Sequence, residues 1–132
     1  MTTIAILCGV SSGFPHYAIT PILPVPPYEE TGSQGIAPNA GYVVGFQILP
    51  RSGMGGHAID QGFLWQAPGP LVQLPALNGD PWSQAFAVND SGQAVGLSGD
   101  YNTSVGTACL WDGTSVTGLQ TPPLYGTRAN GI

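Results

Sequence analysis

A chain of 132 residues can bury one core within one domain. Charged residues make up only 7% of it, with no lysine and two arginines, Arg51 and Arg128. The net charge of -5 argues against a nucleic-acid partner or an anionic membrane surface, because binding to either rests on Lys and Arg. No apolar run approaches the roughly 20 residues that would span a bilayer. With 42% hydrophobic residues the chain should fold, and its surface must be covered by Gly, Ser, Thr, Asn and Gln. That balance suits an extracellular or self-associating β-protein better than a cytosolic enzyme.

In chain order, the first expected element is a strand over Thr3 to Val10. It is apolar and short, lacks the basic leader of a signal peptide, and has Leu7 before Cys8 where a lipoprotein site needs a small residue. Ile19-Thr20-Pro21-Ile22 reads as a second strand. In Tyr42 to Ile48, Tyr42, Val44, Phe46 and Ile48 fall on one face, the period of a half-buried strand. Gly45 lies on the other face, where a missing side chain would let a neighbouring layer come close. Further strands are expected at Phe63 to Trp65, Leu71 to Leu74, Gln93 to Leu97, Cys109 to Trp111 and Val116 to Leu119. Asn89-Asp90-Ser91-Gly92 reads as a tight turn, and Asn39-Ala40-Gly41 as the same turn one residue shorter. Thirteen prolines and twenty glycines leave no room for a helix longer than one turn.

These elements recur. Tyr42-Val43-Val44-Gly45-Phe46 matches Gln93-Ala94-Val95-Gly96-Leu97, and Gly62-Phe63-Leu64-Trp65 matches Ala108-Cys109-Leu110-Trp111. Leu71 to Leu74 matches Val116 to Leu119 and, earlier, Ile19 to Ile22. Ser33-Gln34-Gly35, Ser83-Gln84-Ala85 and Thr127-Arg128-Ala129 form a fourth set. Four landmarks in a fixed order define a repeat with variable loops. The chain divides into a partial unit 1–32, units 33–82 and 83–126, and the start of another at 127–132, all in one domain.

The landmarks resemble the HAF repeat, an extracellular repeat of bacterial proteins named for a His-Ala-Phe triplet. The likeness is fullest from Ser83 through Asn89 and Gly92 to Gly96, and extends to Phe63-Leu64-Trp65 and Cys109-Leu110-Trp111. Neither copy keeps the histidine in place, His57 standing four residues early, and the aspartate of the third segment is lost. The resemblance covers the chain from about residue 17 and implies no catalytic residue. A repeat of this length with about four short strands implies all-β, β-propeller-like blades. A β-trefoil or another small β-barrel is the alternative.

Candidate sites are sparse. Glu29-Glu30 is the only adjacent acidic pair and sits in a loop, where neighbours point apart. Asp90 lacks the alternating acids and closing glutamate of a calcium loop. His16 and His57 are too few for a zinc site, and Cys8 and Cys109 lie inside apolar strands of different units, as free buried thiols would. No Gly-x-Ser-x-Gly elbow or phosphate-binding glycine loop occurs. Trp65 and Trp111 recur at one repeat position, which points to packing. Trp82, Tyr28 and Tyr125 stand in connections, where aromatics stack on sugars or anchor interfaces. The expectation is a non-enzymatic extracellular scaffold or binding module without cofactors, self-associating through terminal strands into a homo-oligomer. A carbohydrate-binding lectin using Trp82, Tyr28 and Tyr125 on a glycan is the alternative.

Overall fold

The computed structural model describes residues 3–11, 14–49, 59–100, 105–119 and 127–132, with backbone alone over 3–11 and 14–18. β1 (Thr3–Ser11) and β2 (Phe14–Ile22) form an antiparallel hairpin. β3 (Glu30–Ala37), β4 (Tyr42–Leu49), β5 (Ile59–Gln66) and β6 (Val72–Gln73) form one four-stranded antiparallel sheet, in chain order. β7 (Trp82–Val88), β8 (Ala94–Asp100), β9 (Val105–Asp112) and β10 (Ser115–Gly118) form a second sheet in the same order. The only helical element among the described residues is a 3-10 turn at Leu77–Gly79. The chain is therefore all-β, and the strands expected from sequence are present, most of them longer. The one expected at Leu71 to Leu74 is confined to Val72–Gln73, and those at Gln93 to Leu97 and Val116 to Leu119 each lose one residue at one end.

Glycines close the turns that need positive φ: Gly41 at 70°, Gly92 at 79° and Gly113 at 60°. The first strand of each four-stranded sheet carries a bulge, between Ser33 and Gly35 in β3 and between Ala85 and Ala87 in β7. Ser33 pairs with Gly45 as Ala85 pairs with Gly96, so Ser33 is the counterpart of Ala85 rather than of Ser83. A match anchored on Asn39 and Asn89 is therefore out of register by two residues. Those asparagines play different parts. Asn89 Oδ1 accepts the amides of Ser91 and Gln93, both at 3.0 Å, and so closes its own turn. The Asn39 side chain instead donates to Asp90 at 3.0 Å, in the neighbouring unit. Ile36 pairs with Val43 as Val88 pairs with Ala94, which makes the first hairpin connection one residue longer, not shorter.

β4 is not half-buried. Val43, Val44, Gly45 and Gln47 are all buried, so both of its faces are covered. The reason is position: β3–β6 lies between the hairpin and the β7–β10 sheet. On one side Ile22, Val43, Phe63 and Trp65 pack together. On the other, Val44, Ala37 and Leu74 meet Ala85, Val88, Ala94, Cys109 and Trp111. Gly45 also departs from expectation. A Cβ there would stand 1.9 Å from the Gly32 carbonyl oxygen, so the close neighbour is the bulged partner strand, not another layer. Gly96 repeats this at 2.0 Å from the Gln84 carbonyl oxygen.

Candidate functional site

The two buried clusters are one arrangement built twice. Ile22, Val43, Phe63 and Trp65 correspond position by position to Leu74, Ala94, Cys109 and Trp111. Val43 pairs with Trp65 across β4 and β5, and Ala94 pairs with Trp111 across β8 and β9. Leu71 packs against the first cluster as Val116 packs against the second. Trp65 and Trp111 thus hold the packing position their recurrence suggested. The Trp111 indole donates to the Pro75 carbonyl at 2.8 Å.

Polar side chains bind each sheet to the one before it. The Thr31 hydroxyl donates to the Ile22 carbonyl at 3.1 Å, and the Ser83 hydroxyl to the Leu74 carbonyl at 2.9 Å. Ser83 also accepts the Gly62 amide at 2.9 Å, and Thr127 accepts the Ala108 amide at 3.3 Å in the corresponding place. A second bridge recurs one strand over. Gln47 Oε1 accepts the Val25 amide at 2.6 Å, and the Ser98 hydroxyl accepts the Leu77 amide at 2.8 Å. Ser98 donates onward to Asp80 at 2.8 Å. Thr31, Gln47, Ser83 and Ser98 are all buried, and buried backbone groups require such partners. The signal for these bridges was present in sequence as a hydroxyl nine residues after an apolar anchor, Ile22 to Thr31 and Leu74 to Ser83.

The three aromatics expected in loops fare differently. Trp82 is half-buried and opens β7 rather than lying in a turn. Its ring covers Gly99, where an added Cβ would come within 2.6 Å of it. Tyr28 is half-buried in the connection from β2 to β3, its amide donates to the Val25 carbonyl at 3.1 Å, and burial raises its phenol pKa. Trp82 and Tyr28 lead into the first strands of successive sheets, and neither belongs to a buried cluster. Tyr125 lies outside the described residues, as does His57.

Cys109 is a free, buried thiol, which rules out a bond to Cys8, whose side chain lies outside the description. Burial, reinforced by the Asp80 charge, pushes its pKa up to about 11, against a smaller opposing hydrogen bond from Ser98. A reactive cysteine needs the reverse shift. Among the described residues, no three His, Cys, Asp or Glu side chains gather where they could hold a metal. No described helix is long and apolar enough to cross a membrane. Comparison with protein-family models, curated proteins and solved structures returns no match.

Proposed function

We propose that this chain is a non-enzymatic extracellular scaffold or binding module of the HAF-repeat kind, built of β-propeller-like blades, that self-associates. One observation carries the reading: the inter-sheet contact is made twice with the same anchors, the same tryptophan and the same hydroxyl bridge. Sheets in chain order, each with its first strand laid against the sheet before, are what stacked blades require. Within such a stack each unit needs a neighbour to bury its faces. The buried polar side chains serve backbone groups of adjoining units, and the Cys109 thiol is held neutral, both of which favour a structural role. The lack of lysine and scarcity of charge favour an extracellular setting and contact between like surfaces.

Light scattering at high micromolar concentration tests the reading, which expects a particle heavier than the 13.6 kDa chain. A clean monomer would overturn self-association. A glycan array run beside it should show no binding; glycan binding abolished by Trp82→Ala would replace the scaffold with a lectin.

A further inference from the structure

The repeated contact has two halves, and among the described residues each is found once without its partner. The anchors Ile22 and Leu74 are 1% and 0% exposed because the following sheet closes over them. Leu119 is the third anchor. Its amide donates to the Ala108 carbonyl at 2.7 Å, as the Leu74 amide donates to the Gly62 carbonyl at 2.8 Å. The hydroxyl bridge beside it, from Ala108 to Thr127, is formed as well. Leu119 is nevertheless 36% exposed, with the place of Ala94, Cys109 and Trp111 unfilled around it among the described residues.

The opposite half is open on the hairpin. Leu71 and Val116 each pack into the cluster on their sheet's preceding side. Ile19 is their counterpart on β2, and it is 65% exposed. Among the described residues, Leu119 is therefore an anchor without a cover, and Ile19 a covering residue without an anchor. Leu119 and Ile19 thus hold the two sides of a contact that the chain makes twice between its own residues. Leu119 stands in the place of Ile22 and Leu74, and Ile19 in the place of Leu71 and Val116.

We infer that Leu119 of one copy docks on the Ile19 side of the β1–β2 hairpin of a second copy, joining chains head to tail through the contact that joins their sheets. The partner is a second copy because the Ile19 surface has the same place in the repeat as the surface that Leu119's counterparts engage. Such a contact is heterologous, so it builds closed rings or open chains rather than isologous pairs. This rests on the self-associating reading above and names its surface.

Complementation between two variants tests it. Leu119→Asp and Ile19→Asp each retain one half of the contact, so each alone should run as a monomer. Mixed in equal amounts, they should form a particle of twice the chain mass and no larger, because the remaining halves are blocked. Val72→Asp, at an exposed site on β6 outside either half, should assemble like the native chain. Far-UV circular dichroism checks the fold, and Leu119→Gln with Ile19→Thr repeats the test with milder changes. A native chain that assembles while both variants still assemble would overturn this interface and leave self-association standing. A native chain that stays monomeric overturns both.

Discussion

The hydroxyl of Ser83 donates to the carbonyl of Leu74 at 2.9 Å, tying the first strand of one sheet to the last turn of the sheet before. The same oxygen accepts the Gly62 amide, while Gln61 Nε2 gives the Leu74 carbonyl a second donor. Ser83→Ala therefore strands one buried amide rather than two groups. Leaving such a group unpaired costs about 1–3 kcal/mol. We expect urea unfolding to show a loss in that range for Ser83→Ala. Ser83→Thr keeps the hydroxyl, as Thr31 and Thr127 do in the same place, and should lose less than half as much. Equal losses would show that the bridge contributes nothing.

Gly45 and Gly96 make a paired prediction. Backbone oxygens stand 1.9 Å and 2.0 Å from where their Cβ atoms would be, and a backbone cannot swing aside as a side chain can. Gly45→Ala and Gly96→Ala should each cost about 3 kcal/mol or more, the upper end of overpacking effects. Gly131→Ala, with nothing within 4 Å, should change stability by less than about 0.5 kcal/mol. Thermal melts of the three variants check this, and tolerance of Gly96→Ala would deny the close approach at the bulge.

How these glycines differ from the sequence reading shows what a single chain can reveal. Alternation and turn residues marked β4, β5, β8 and β9, because strand period and glycine turns are local properties. The covering of both β4 faces was not legible, since Val43 and Gln47 are buried by a different sheet and not by their neighbours in sequence. The two-residue slip at Ser33 had the same origin. Both units carry the bulge in the same place and differ by one residue in the hairpin. The Ser-Gln and Asn matches therefore look consistent in sequence, and only strand pairing gives the true register. Among candidate sites, the packing role of Trp65 and Trp111 could be read from recurrence. The hydroxyl bridges leave only the nine-residue spacing from anchor to hydroxyl. That signal is too slight to read alone, because Thr31 and Ser83 differ in identity and neither sits in a recognised motif.

Trp111 combines packing with a hydrogen bond, so substitutions can separate the two. The residue is fully buried, and its indole satisfies the Pro75 carbonyl. Truncating a buried tryptophan to alanine costs about 3–5 kcal/mol. Trp111→Ala should fall there, and Trp65→Ala close to it. Trp111→Phe retains most of the ring volume but leaves Pro75 short of a donor, for a smaller loss of about 1–3 kcal/mol. Denaturant titration should rank Phe between the native residue and Ala; Phe as damaging as Ala would mean that the hydrogen bond, not the packing, dominates.

The Cys109 thiol links this interface to pH. Its folded pKa is raised to about 11, first by burial and then by the Asp80 charge. An unfolded chain would titrate the same thiol near its ordinary value of about 8.5. Below that value both states hold the proton, and the full stabilisation is present. As pH climbs further, the unfolded chain releases its proton while the folded chain keeps it. Stability then falls by up to about 1.4 kcal/mol per pH unit until the folded pKa is passed. The raised phenol of Tyr28 acts with the same sign, so a native curve alone cannot isolate the thiol. Cys109→Ala removes only the cysteine contribution. We expect it to be less stable than the native chain at neutral pH, through the lost sulfur contacts, and to decline less steeply between pH 8.5 and 11. A thiol reagent at pH 8 should label native Cys109 only as fast as the protein opens. Parallel alkaline slopes in the two proteins, or immediate labelling without unfolding, would show that the interface does not bury the thiol.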